Sequence, residues 1–377
     1  MASLDSNIPP SKFETRKEFL EHLYNMMVTS FETTENTFGE TRGRPRLLKT
    51  FIMESNQGLL EQTDSFDVVL HKTKTALPEI DIITLEHNGI RARFYVDTSD
   101  RRFWLLHTND LAKHARYVFD RLVYSPKAAF DKVWLPMQMI QKVANLPRNS
   151  FRGFGLEYTD FFALNRELEQ SVAELKMRVS GASSIDALNA LRTEEKIENS
   201  LAYSMVRVKR GDPQNYVIDE LGYAGRFTAI GGSSIDDYMS LIEITRRIYK
   251  NTLEAIERNS LGIKQVENRT LVEGQAFDLV LKREIEDIGL FADILSTSKK
   301  PFRLWGLKNK ISKDYFQVFG VDLHTGDSLN LEISDHLIRV YLPKGSCGNT
   351  VLRLYTNLQH YFDSNIKLND EPLQIME

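Results

Sequence analysis

The 377-residue chain has a single cysteine, Cys347, which rules out an intramolecular disulfide or a cysteine-rich zinc site and fits a reducing compartment. No apolar run approaches the ~18 residues that suggest a membrane-spanning helix. Met1 to Thr15 lacks the basic start and apolar core of a signal peptide, so a cytoplasmic protein with no membrane partner is expected. The eight histidines include no His-Glu-x-x-His and no His-x-His pair, so neither a metal nor another cofactor is expected. The nearest approach to a phosphate-binding loop is Pro343-Lys344-Gly345-Ser346-Cys347-Gly348-Asn349-Thr350. It lacks the Gly-Lys-Ser/Thr ending and reads as a glycine turn. A large excess of either charge is missing too. The net charge of −4 argues against bulk attraction to nucleic acid and leaves room only for a local basic face.

What remains is a globular composition, 42% hydrophobic and 27% charged. The length allows two or three domains at about 100–200 residues each. The most informative stretch is Gly225 to Lys250. Alternating residues around Phe227 and Ala229 read as a strand, Gly231-Gly232 as a turn, and Ser233 with Asp236 as a helix start. In the helix that follows, Ile235, Tyr238, Met239, Ile242, Tyr249, Leu253 and Ile256 share one face.

The same order of elements recurs. Ile80–Glu86 and Ile90–Val96 flank Asn88-Gly89, a hairpin signal, and are followed by a strand over Arg102–His107 and a helix over Asn109–Tyr124. Met205–Arg210, Tyr216–Leu221 and Arg226–Ile230 precede the helix already described. Tyr315–Leu323, Ser328–Ile333 and Leu337–Leu342 precede a helix over Thr350–Phe362. Gly-x-Ser-Ser-Ile-Asp occurs twice, from Gly181 and from Gly231, each time between a strand and a helix. The expected class is therefore α+β, built from repeated antiparallel strand-strand-strand-helix modules whose sheets are backed by helices. The expected divisions are an N-terminal helix and basic loop over 1–50, a first module over 51–150, central modules over 151–260 and a C-terminal module over 261–377. In element order alone this resembles the pseudo-repeated sheet-and-helix domains of TATA-box-binding proteins, and none of that family's motifs is present.

Three features carry a binding chemistry. Arg42-Gly43-Arg44-Pro45-Arg46 resembles an AT-hook, in which extended arginines such as Arg42 and Arg44 enter a narrow minor groove. The plain alternative is an exposed loop running into a helix. The pairs Arg91/Arg93, Lys176/Arg178 and Arg207/Lys209 each flank an apolar residue on an expected strand. Alternation puts both charges of a pair opposite the core, so aligned modules would gather them, with Tyr95, on one basic sheet face. The plainer reading is an ordinary solvated sheet face. Lys299 to Lys313 contains six basic residues and no acid, with aromatic rings interleaved. Lys299, Lys300, Arg303, Lys308 and Lys310 would meet phosphates while Trp305 stacks on a base. The alternative is a charged connector with Trp305 plugged into the core.

No catalytic constellation stands out. Asp64, Asp67, Glu79 and Asp81 near strands, or the Cys347 turn, are the places where a hydrolase or nuclease site would sit. The expectation is a non-enzymatic protein that binds DNA or RNA. A protein-interaction subunit of a larger assembly, a homo-oligomer among them, is the alternative, and an enzyme with a site invisible in sequence is another.

Overall fold

The computed structural model describes residues 13–37, 46–56, 67–125, 130–162, 172–266, 269–297 and 300–369. Helix α1 (Arg16–Thr37) precedes the strands β1 (Lys49–Ser55), β2 (Val69–Lys74), β3 (Ile80–His87), β4 (Ile90–Asp97) and β5 (Phe103–Thr108). Next come α2 (Ala112–Val123), β6 (Phe130–Lys132), α3 (Met137–Ala144), β7 (Asn149–Thr159), β8 (Glu174–Ser180) and α4 (Ser184–Arg192). Strands β9 (Tyr203–Gly211), β10 (Tyr216–Gly222) and β11 (Arg226–Gly232) lead into the long α5 (Ile235–Asn259). The remainder is β12 (Gly262–Val266), β13 (Arg269–Glu273), β14 (Phe277–Val280), α6 (Ile288–Thr297), β15 (Leu304–Ser312) and β16 (Tyr315–Asp322). It ends with β17 (Ser328–Ile333), β18 (Leu337–Tyr341), α7 (Asn349–Tyr361) and β19 (Lys367–Asn369). The class is α+β, and β3-β4-β5-α2, β9-β10-β11-α5 and β16-β17-β18-α7 each follow the strand-strand-strand-helix order. No helix among the described residues is long and apolar enough to cross a membrane.

The chain forms two compact units. The first comprises Met1–Val133, Leu146–Ser150 and Arg207–Arg246. Its strands run in the order β2-β3-β4-β5-β1-β11-β10-β9, with β6 against β1. Asn88 and Gly89 take φ of 50° and 74°, so the β3–β4 turn is the tight type that Asn-Gly favours. One face packs on α2: Phe51, Ile83, Phe94, Val96 and Leu106 meet Val118, Phe119 and Leu122. On the opposite face, Phe19 and His22 of α1 lie against Tyr95 and His107, and the Tyr238 hydroxyl of α5 sits 2.8 Å from that of Thr50. Ser234, rather than Ser233, caps α5, accepting from the Asp237 N–H at 3.3 Å and donating to its carboxylate at 2.9 Å.

The second unit comprises Trp134–Asn145, Phe151–Val206 and Arg247–Glu377. Its main sheet has the order β15-β16-β17-β18-β14-β19, and β12 and β13 form a separate hairpin. Helix α7 is buried from Asn349 to His360, which requires its polar side chains to be satisfied internally. Arg353 does this by donating to the Phe302 carbonyl and to Asp322, whose second oxygen accepts from Thr350. Phe162, Phe291, Phe302 and Phe362 form an aromatic cluster, with Phe162 and Phe291 stacked at 4.3 Å.

Candidate nucleic-acid interface

The basic segment at 299–313 is mostly strand β15 rather than a connector. Its signal was the alternation of Trp305, Leu307 and Ile311 with Lys308 and Lys310, a period of two. It pairs antiparallel with β16, setting Trp305 opposite Val321, Leu307 opposite Phe319 and Lys310 opposite Phe316, with a register shift between Lys310 and Ser312. Among the described residues β15 ends the sheet. Leu304, Lys308 and Lys310 face inward, where α6 packs on β15 and β16. Trp305, Leu307 and Asn309 face outward, and past the shift at Lys310 the alternation breaks, Ser312 pairing with Tyr315.

That outward face is half apolar and half polar. Trp305 is 52% exposed, Leu307 64% and Phe319 52%. Trp305 and Phe319 are diagonal neighbours across the β15–β16 pair, a relation that sets residues about 7–8 Å apart. Farther along the sheet, the same face is closed by a hydrogen-bonded network. Glu332 accepts from the Tyr341 hydroxyl at 2.8 Å and from the Gln317 amide at 3.4 Å, and Arg339 grips Asp278 through two bonds of 2.7 and 2.9 Å. Partial burial, together with the hydrogen bond to Glu332, pushes the Tyr315 hydroxyl up to about 12. For Glu332, burial works against ionisation, and the bonds from Tyr315, Tyr341 and Gln317 outweigh it and hold the carboxyl below its usual range.

The cations border the apolar half. Lys308 and Lys310 are exposed, their ammonium groups 6.0 and 5.9 Å from the Phe316 ring centroid, within cation–π range. Lys308 also pairs with Asp293 of α6 and donates to the Gly289 carbonyl at 3.2 Å. Lys310 has no acidic partner among the described residues. Lys300 and Lys313 are exposed at the two approaches to the strand. Arg303 is different: it is 5% exposed, which removes it from any phosphate contact.

The other expected site residues that are described lie on other strands. Arg42, Arg44 and Lys299 lie outside the described residues. Arg91 and Arg93 are exposed on β4, flanking buried Ala92 as alternation requires, while Tyr95 on their face is covered by Phe13 and His22. Lys176 and Arg178 are exposed on β8 in the other unit, Lys176 paired with Glu157 at 3.4 Å. Arg207 is bound to Glu220 at 2.5 Å, and Lys209 lies 3.7 Å from the Tyr216 ring centroid.

Register settles how the first unit's triplets relate. Tyr95 pairs with His107, His107 with Thr50 and Thr50 with Phe227, so Arg91 and Arg93 share the face of Thr50. Glu220 pairs with Thr228 and Thr228 with Lys49, so Arg207, bound to Glu220, lies on the opposite face. The single basic face expected from alignment of the modules is therefore not formed.

Two of the carboxylates suggested for an enzyme are paired, Asp67 with Arg121 at 3.2 Å and Asp81 with Lys72 at 3.0 Å, and Glu79 lies just ahead of β3, its backbone carbonyl accepting from Thr98. Asp64 lies outside the described residues. Cys347 is buried, and its N–H donates to Asp327 at 3.2 Å. No cluster of histidine, cysteine and acidic residues suited to a metal occurs among the described residues. A small cleft is lined by Phe162, Leu290, Phe291, Phe362 and Arg283, the last paired with Asp160 at 2.7 Å and donating to the Tyr158 hydroxyl at 3.1 Å.

Comparison with known proteins gives one family. The family described as MJECL33-like protein matches residues 8–375. A Methanocaldococcus jannaschii relative described as "Uncharacterized protein MJECL33" is 26% identical over 397 aligned residues, covering 94% of each chain.

Proposed function

The chain belongs to the MJECL33-like family, and we propose that it is a non-enzymatic protein that binds single-stranded nucleic acid, DNA or RNA, on the outer face of β15 and β16. The observation that carries this reading is the pair Trp305 and Phe319, each 52% exposed on neighbouring strands of one sheet face. An apolar ring on a sheet face and open to water is unfavourable to keep exposed and is well suited to an unpaired base, which adds about 1–3 kcal/mol per stack. A duplex keeps its bases stacked inside and offers no such partner.

The edge supplies the charge. Lys308 and Lys310 are exposed on the other face of the edge strand and Lys300 and Lys313 at its two approaches, so phosphates can be neutralised along the edge of β15 while bases turn onto the outer face. Lys310 contributes most, because it has no acidic partner to displace. Beyond Phe319 the Glu332 and Arg339–Asp278 network is already satisfied, which limits the footprint to the β15–β16 end. Arg207 and Lys209 take no part in it. A cytoplasmic location goes with this reading and with the single cysteine.

The test is fluorescence anisotropy of a labelled pyrimidine oligonucleotide, single-stranded and duplex, over a salt series. Support requires single-stranded binding that weakens as salt rises. Binding that is absent at low salt, or equal for the duplex, rejects the reading.

A further inference from the structure

The outer edge of β15 goes beyond that reading. It is a strand of nine residues, Leu304–Ser312, and among the described residues no strand or loop backbone pairs with its free side. Natural sheets guard such edges because unpaired N–H and C=O groups recruit another strand. Here the guard is one-sided. Inward-facing Lys308 and Lys310 carry charge, while outward-facing Trp305 and Leu307 are 52% and 64% exposed and the next outward residue, Asn309, is uncharged.

We propose that this edge accepts an extended peptide segment of a partner protein in which apolar and acidic residues alternate. An added strand places its side chains beside those of β15 on each face. Its apolar residues would then lie next to Trp305 and Leu307, and its acidic residues next to Lys308 and Lys310. The same lysines select against a second copy of this chain. The antiparallel self-pairing with greatest overlap centres on Lys308 and sets Lys308 against Lys308, a like-charge clash. An acidic strand turns that clash into attraction.

The test uses the full chain with two synthetic peptides as long as β15, one alternating valine and glutamate and one alternating valine and lysine. Binding is read by anisotropy, and its place by amide hydrogen exchange. The expected result is that the valine–glutamate peptide binds and slows exchange at Leu304–Ser312 at least tenfold, and that the valine–lysine peptide does neither. Lys310→Glu, which breaks no ion pair, should weaken the valine–glutamate peptide severalfold, and Lys308→Glu/Lys310→Glu should reverse the preference. Equal binding of both peptides, protection elsewhere, or no binding by folded wild-type protein overturns the proposal. So does a dimer that protects the β15 amides without peptide. None of these readouts depends on oligonucleotide binding.

Discussion

Arg353 of α7 donates to Asp322 at the end of β16 with both side chains out of water, at 0% and 1% exposure. Because Arg353 also holds the Phe302 carbonyl just ahead of β15, this pair ties the central helix to the strands that carry Trp305 and Phe319. A buried pair of this kind need not add net stability, and breaking it strands a charge. Arg353→Met is expected to destabilise by about 3–5 kcal/mol. Lys176→Met, which removes the exposed pair with Glu157, should fall within about 1 kcal/mol of wild type. Denaturant midpoints of the two variants check the contrast.

His107 gives the first unit a pH dependence. Burial lowers its pKa from 6.5 to about 4, while Asp97 pulls the other way. The ring therefore stays neutral in the fold and protonates more readily in the unfolded chain. Its contribution is full above pH 6.5 and is lost as pH falls toward 4, by about 3 kcal/mol at most. His22, lowered to about 4 by burial, acts in the same direction, and Asp219, raised by burial, acts against them. Comparing wild type with His107→Gln isolates the one residue: the stability difference should shift between pH 7 and pH 4 and stay constant above pH 7.

Lys49 is 1% exposed on β1, and burial lowers its pKa to about 7. The unfolded chain holds that proton up to about pH 10, so stability rises with pH between the two values. Lys49→Met keeps the aliphatic length without the ammonium. It is expected to raise the Tm at pH 7 and to flatten the gain between pH 7 and 10. An unchanged Tm and slope would mean that the ammonium is satisfied where it sits.

The Ser234 cap is a smaller, local term. Ser234→Ala should cost about 0.5–2 kcal/mol by leaving the Asp237 N–H unpaired, while Ser233→Ala should change little. Urea midpoints distinguish the two serines.

The element order was legible because it rests on local chemistry: Asn88-Gly89, alternating strands and the stripe of α2 each act within a few residues. The cap of α5 was missed by one position, since Ser233-Ser234 and Asp236-Asp237 offer two equivalent spacings and only the backbone chooses. The positive-φ glycines likewise differ between the two similar turns, falling at Gly181 in one and Gly232 in the other. The face on which Arg207 sits depends on pairings among five strands, which no single segment encodes. In the candidate site, Trp305, Lys308 and Lys310 were visible in composition. Phe319 was not, because its exposure follows from which side of the sheet α6 covers.

The most direct measurement is the affinity of a single-stranded pyrimidine oligonucleotide for wild type, Trp305→Ala, Phe319→Ala and Lys310→Glu across a salt series. Each ring variant should weaken binding by about 1–3 kcal/mol with the salt slope unchanged, while Lys310→Glu should make the slope shallower by about one phosphate contact. If the ring variants, shown to be folded, bind as tightly as wild type, the outer face of β15 and β16 is not where nucleic acid is held.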